Sequence, residues 1–129
     1  MPAKLSKREA KKFGFSAGSK YKNKKTEGQW LDGKTVLFDS KKEAKRAQEL
    51  LLLFQQGEIS DLTRQREFRL TINGILICKY ECDFLYRDLS KPGQQGAVVV
   101  EDVKGMKTRI YRLKKKLMFA IFGIKIKEV

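Results

Sequence analysis

The dipeptide Asn73-Gly74 constrains this chain more than any other pair of residues. It stands between Gln65–Ile72, where Phe68, Leu70 and Ile72 alternate with polar residues, and a second run from Ile75 to about Tyr86. Asn-Gly accepts the positive φ angles that a two-residue hairpin loop requires, and period-2 alternation gives each strand one apolar face. The centre of the chain is therefore expected to be an antiparallel hairpin of two long strands.

The flanking segments supply the other elements. Gln29–Leu31 and Thr35–Phe38 surround Asp32-Gly33 and read as a small hairpin. Asp39-Ser40 caps a helix over Lys41–Gln56, with Ala44, Ala47, Leu50, Leu51 and Phe54 on its inward stripe and Gly57 as its stop. Ile59 and Leu62 fall in a short connection before the long hairpin. After it, Arg87–Gly96 is a loop, and Ala97–Lys104 is a strand whose Val98, Val99 and Val100 fit a buried position. Gly105 breaks that strand. Thr108–Phe122 reads as a second helix, with Ile110, Leu113, Leu117 and Ile121 inward and Arg112, Lys115 and Lys116 outward. Gly123 caps it, and Ile124–Val129 is a last strand. The expected order is α-β-β-β-α-β behind a small hairpin: a single α/β domain over 28–129 with a mixed central sheet flanked by helices. Residues 1–27 are rich in Lys, Ser, Gly and Asn and read as a flexible basic tail. Within it, Arg8–Phe13 can form a helical turn, with Phe13 and Phe15 as anchors.

The charge is uneven. The 129 residues carry a net +14, which points to an anionic partner, nucleic acid first, because phosphates reward clustered Lys and Arg through counterion release. Residues 1–27 hold nine basic residues against two acidic ones, and 104–129 hold nine against one. Residues 28–103 are near neutral, with eleven basic and twelve acidic side chains. A protein that only binds by charge has no need of such an acidic middle; a nuclease does, because its carboxylates hold cations beside a phosphate. The chain contains no histidine, which excludes Ser-His-Asp hydrolysis, HNH-type nucleases and His-bearing zinc sites. Cys78 and Cys82 are too few for a disulfide framework or a four-ligand zinc site, and are expected to be reduced, in a cytoplasmic setting. No apolar run approaches the length of a membrane span, and the basic N-terminal segment lacks the apolar stretch of a signal peptide.

Three carboxylates and a lysine are candidates for chemistry. Asp83 lies near the far end of the return strand, and Asp102 and Lys104 close the Val-rich strand on one face, with Glu101 on the other. Pairing of these strands would set Asp83 beside Asp102. Two carboxylates at that spacing repel unless a cation sits between them, and Mg²⁺ suits such a pair. Lys104 could orient the attacking water or stabilise developing charge. The plainer reading is a charged strand end with a surface Asp–Lys pair. Ser40-Lys41-Lys42-Glu43 is a capping box in its own right.

The run Asp83-Phe-Leu-Tyr, a loop, Val98-Val-Val-Glu-Asp102-Val-Lys104-Gly and then Thr108-x-x-Tyr111-x-x-Lys114 resembles the PD-(D/E)XK nuclease superfamily. Within it the chain looks like a family of small phage and prophage proteins of unknown function. The features shared with that family are Lys20–Lys25 (KYKNKK), Phe38–Ala44 (FDSKKEA), Gln65 before a strand, and Val100–Gly105 (VEDVKG). The resemblance covers about Lys20 to Val129. It implies a restriction-endonuclease-like fold. Asp83 matches the first motif acid, Asp102 the second and Lys104 the motif lysine, while Glu43 matches a first-helix acid that is a further metal ligand in many members. Two departures stand out: the motif's Pro is Cys82, and the second acid is Asp rather than the commoner Glu.

The reading that follows is a Mg²⁺-dependent endodeoxyribonuclease, with Mn²⁺ able to substitute, of a phage or prophage acting in a bacterial host cell. The metal is held by Asp83, Asp102 and Glu43, and no nucleotide cofactor is needed. Lys20, Lys22, Lys24 and Lys25 of the tail and Lys107, Arg109, Arg112 and Lys115 around the second helix are the expected DNA contacts. Gln65 is either a site residue or a polar edge, and Tyr111 and Lys114 either meet phosphate or form a solvated face. The resemblance further implies branched substrates such as four-way junctions, and a homodimer that cuts two strands symmetrically. The alternatives are a non-catalytic basic nucleic-acid-binding protein on a nuclease fold, or a sequence-specific restriction-type nuclease.

Overall fold

A computed structural model describes residues 25–91 and 96–129. The expected contacts Lys20, Lys22 and Lys24, and the turn anchored by Phe13 and Phe15, lie outside the described residues. Strands β1 (Thr26–Gln29) and β2 (Thr35–Phe38) form the first hairpin, with Gln29 opposite Thr35. Asp32 and Gly33 both take left-handed backbone, φ 61° and 69°, but inside a five-residue loop closed by the Trp30 N–H on the Lys34 carbonyl at 2.7 Å. The first strand therefore starts three residues and ends two residues earlier than the Asp-Gly signal implied. Gly28 allows the close approach of the two strands, since a Cβ there would stand 2.8 Å from Phe38 Cε2.

Helix α1 (Lys41–Gln55) starts where Ser40 Oγ accepts the Glu43 N–H at 3.1 Å. Ala44, Ala47 and Leu50 are buried as expected. Phe54, expected inward, is exposed, because Gly57 at φ 76° turns the chain away one turn after the last covered position.

The segment expected to be a short connection is a strand, β3 (Ile59–Arg64). Ile59 and Leu62 are both buried although three residues apart, because a bulge between Ser60 and Thr63, with Asp61 at φ 54°, shifts the alternation. The central hairpin is present: Ile72 of β4 (Glu67–Ile72) pairs Ile75 of β5 (Ile75–Glu81), with Asn73 and Gly74 at φ 50° and 78°. A second bulge after Leu70 leaves Leu70 buried and Ile72 exposed, so the expected Phe68–Leu70–Ile72 face ends early.

Each long strand of that hairpin is broken in two. The return strand stops at Glu81 and resumes as β6 (Phe84–Asp88), while Gln65, at φ 54°, bends the other between β3 and β4. Two backbone bonds bridge the break, from the Gln65 N–H to the Asp83 carbonyl and from the Cys82 N–H to the Arg66 carbonyl, both at 3.0 Å. The bend separates the β4–β5 ribbon from a four-stranded sheet ordered β3-β6-β7-β8, where β7 is Ala97–Asp102 and β8 is Lys127–Glu128. Its pairs are antiparallel except β7 and β8, which run parallel on either side of helix α2 (Arg109–Phe122). The described residues thus form a mixed α/β fold with one multi-stranded sheet and two helices. The last strand is shorter than the apolar run Ile124–Val129 implied, although the Val129 N–H still reaches the Asp102 carbonyl at 3.0 Å.

Two apolar clusters cover the sheet. One joins Phe38, Ala47 and Leu50 to Phe84 and Tyr86; the other joins Leu70, Tyr80 and Cys82 to Val100, Tyr111 and Met118, with Leu85 against it. Phe84 and Tyr86 alternate with Leu85, so the clusters lie on opposite faces of β6. Helix α2 is rotated from its expected orientation. Tyr111 and Met118 are buried, whereas Ile110 is 67% exposed and Leu113 is exposed as well. The inward row carries the apolar bodies of Tyr111 and Lys115, whose polar tips both meet Glu128. Val98 is likewise exposed, and only Val100 of the three valines is fully buried. Cys78 and Cys82 are free thiols. Among the described residues, no helix is long and apolar enough to cross a membrane.

Candidate active site

The carboxyl end of β7, the break between β5 and β6 and the first turn of α1 come together at one end of the sheet. Asp102 closes β7 and is 1% exposed. Its Oδ2 accepts the Tyr80 hydroxyl at 2.5 Å, and its Oδ1 lies 3.4 Å from Lys104 Nζ. Lys104 Nζ also sits 4.5 Å above the centre of the Tyr111 ring, so an ion pair and a cation–π contact hold one ammonium. Burial, and after it the hydrogen bond to Asp102, drives the Tyr80 phenol far above its ordinary value, so it stays a donor.

Asp83 stands in the strand break. Its amide donates to the Glu101 carbonyl at 3.2 Å, and its Oδ2 accepts the Val103 N–H at 2.7 Å. Burial and the neighbouring Asp102 carboxylate push the Asp83 carboxyl up to about 8, with a further push from Glu43 and a partial offset from the Val103 amide. Gln65 belongs to this site through its backbone. Its left-handed conformation aims its N–H at the Asp83 carbonyl, while the residue itself is exposed. A non-glycine residue held in that region carries local strain.

Glu43 settles into a variant of the capping box. Its own N–H meets Ser40 Oγ, and its Oε2 accepts the Asp39 N–H at 3.2 Å, one residue before the cap. That uses one oxygen. The other, Oε1, is buried and has no hydrogen-bond partner; the nearest cation, Arg64 Nη2, is 3.9 Å away. Burial raises the Glu43 carboxyl above its ordinary value, and the Asp39 and Asp102 charges add to that. Asp102 thus bears on both other acids. Capping and a second role are compatible here, because each takes a different oxygen.

The donor set is all carboxylate oxygen, which suits a hard divalent cation, and Glu43 Oε1 is an atom that a cation would satisfy. Among the described residues, no three His, Cys, Asp or Glu side chains already converge on a single ligand point. Two oxygens of the set are held by Tyr80 and Val103, so coordination would need small side-chain rotations.

Beside Asp102 opens a cleft of about 260 Å³ lined by Tyr80, Glu81, Lys104, Thr108, Ile110, Tyr111 and Lys114. Tyr111 is buried and donates to Glu128 Oε2 at 2.9 Å, so it supports the cleft wall. Lys107 and Lys115 also pair with Glu128, at 3.3 Å and 2.8 Å. Of the expected DNA contacts, Lys25, Arg109 and Arg112 are exposed and Lys114 lines the cleft. Tyr80 and Arg64 were not singled out from the sequence. Tyr80 shares a strand face with Cys82, two residues on, and alternation was the available signal. Arg64 lies just before Gln65, but nothing local marks its reach to Glu43.

On the far face of β7, Glu101 is 0% exposed. Arg46 of α1 grips it through two nitrogens, Nε to Oε1 at 2.8 Å and Nη2 to Oε2 at 2.7 Å, and the Tyr86 hydroxyl donates to Oε2.

A family model described as "Protein of unknown function (DUF1064)" matches residues 18–128. The chain belongs to that family. No curated protein matches it, and no solved structure does.

Proposed function

We propose that this family member is a metal-dependent endonuclease of the PD-(D/E)XK type, cutting DNA phosphodiesters with Asp83, Asp102, Glu43 and Lys104. The observation that carries the reading is the buried Glu43 Oε1, which accepts no hydrogen bond, in a carboxylate cluster where Asp102 raises the proton affinity of both Asp83 and Glu43. Such a cluster costs folding stability, and perturbed groups of this kind collect at functional sites.

Asp83, Asp102 and Glu43 would hold Mg²⁺ or Mn²⁺, which when bound supplies Lewis-acid polarisation of the phosphate and a water of lowered pKa. Lys104 is fixed by Asp102 Oδ1 and the Tyr111 ring, and turns its remaining N–H donors to the cleft, where they stabilise charge developing on a phosphate oxygen. Tyr80 keeps Asp102 in its rotamer. Gln65 and Val103 fix the position of Asp83 through backbone amides. Lys104 and Lys114 line the cleft with positive charge for the DNA backbone. Nothing in this set reads bases, so shape is the favoured basis of selection, with four-way junctions and other branches as preferred substrates and a homodimer as the cutting species.

Incubation with branched and linear DNA in Mg²⁺, beside Asp102→Asn and an EDTA control, tests the reading. Cutting by the wild type alone is expected, with branched DNA preferred. If wild type and variant both bind and neither cuts, the protein is a binder and the enzymatic reading fails. Cutting of ordinary duplex at one fixed sequence would make it a restriction-type nuclease.

A further inference from the structure

A second groove, of about 580 Å³, lies against α2 and the segment leading into β8, lined by Arg112, Lys115, Lys116, Phe119, Lys125 and Ile126. It is distinct from the catalytic cleft. On the helical wheel the row Tyr111–Lys115–Met118 points into the protein; Ile110 and Lys114 fall on the cleft side of that row, and Arg112, Lys116 and Phe119 fall on the other. The two openings therefore flank one helix. Phe119 and Thr108 are eleven residues apart, about 16 Å along the helix axis.

The lining is a mixture that a duplex backbone does not need. Phe119 is 53% exposed, and Lys125 Nζ stands 5.7 Å from its ring centre. Ile126 is buried beneath. Among the described residues, Arg112, Lys116 and Lys125 form no ion pair, whereas Lys115 is tied to Glu128. No carboxylate among the described residues lines the groove. Uncompensated cations around an accessible aromatic ring are the elements by which proteins hold single strands, with phosphates on the rim and a base stacked on the ring. In a duplex the base faces are covered by their neighbours, so a ring in a groove has nothing to stack on.

We infer that this groove binds an unpaired single-stranded DNA segment, with a base stacked on Phe119 and phosphates on Arg112, Lys116 and Lys125. The site deepens the nuclease reading and rests on it for the choice of nucleic acid: the substrate class becomes DNA with an unpaired stretch near the scissile position. Its binding does not depend on cleavage.

The test is fluorescence anisotropy in EDTA, with a labelled thymidine oligonucleotide of about twelve residues and a duplex of the same length as probes. Phe119→Ala is expected to weaken single-strand binding about tenfold to a hundredfold and leave duplex binding within about twofold. Phe119→Trp should retain single-strand binding, which separates stacking from loss of fold. Lys116→Glu with Lys125→Glu should weaken the single strand and flatten its salt dependence. Equal loss on both probes in Phe119→Ala, or no loss, overturns the inference. So does a change in sedimentation from dimer to monomer in Phe119→Ala, which would assign the ring to self-association, or tighter binding of polyglutamate than of the oligonucleotide. A protein that binds the single strand through Phe119 but never cuts would retain this site while the nuclease reading failed.

Discussion

Glu101 and Asp102 are adjacent in β7, both are buried, and their surroundings are opposites. Glu101 faces α1, where Arg46 binds it through two nitrogens and Tyr86 adds a hydroxyl, so each of its oxygens has a partner. Asp102 faces the β5–β6 break. There it meets one phenol and one lysine, and it lies close enough to raise the proton affinity of both Asp83 and Glu43. Strand alternation is what permits this. One residue of displacement moves a carboxylate from a satisfied brace to a cluster with an orphaned oxygen. A buried charge with complete partners specifies packing, while a buried group of acids that raise the proton affinity of their neighbours marks a functional site.

The largest effect expected on this contrast is at the brace. Glu101→Ala leaves the Arg46 guanidinium largely buried without its main partner, and should cost about 3–5 kcal/mol in urea unfolding. A cost no greater than that of a surface substitution would remove the distinction between the faces.

The next effect has the opposite sign. In EDTA, Asp83→Asn should stabilise the protein. Unfolded Asp ionises near pH 4, while folded Asp83 holds its proton to about 8. The wild type therefore loses stability as pH rises from about 4 to 8, and Asn does not. The gap should widen across that window and level off above about pH 8, and Mg²⁺ should narrow it. Thermal melts at several pH values read this directly; a gap that stays flat or narrows with pH would contradict the crowding of the site.

The smallest effect is at Glu128, a satisfied carboxylate near the surface. Lys115, then Tyr111 and Lys107, hold it down to about 2. Its contribution is present above pH 4.5 and is lost as pH falls through 2. Glu128→Gln should remove that part of the acid unfolding limb, worth about 1 kcal/mol or less given its partial exposure.

Much of this arrangement was legible in the sequence. Asn73-Gly74, the Ser40 cap and the Val-rich run ending in Asp102 each carry a local signal, and each is where it was expected. The opposed directions of Glu101 and Asp102 follow from alternation alone. What stayed hidden is non-local or irregular. The bulge at Asp61 masks β3, because Ile59 and Leu62 then share a face at a spacing of three. The orientation of α2 is set by Glu128, nineteen residues beyond Arg109, which draws Tyr111 and Lys115 inward in place of Ile110 and Leu113. The Arg46–Glu101 pair spans 55 residues and has no signature in either segment. Gln65 was noticed as a polar side chain, but it acts through its backbone angle, which no composition reports.

The division of labour across β7 is tested most directly by the Mg²⁺-dependent cleavage rate per folded molecule, measured for Glu101→Gln and Asp102→Asn with their melting temperatures. Asp102→Asn should lose at least about a hundredfold in rate with its melting temperature kept, and Glu101→Gln should melt lower while cutting within about threefold of the wild type. Equal loss of rate in both variants, or full activity in Asp102→Asn, would contradict it.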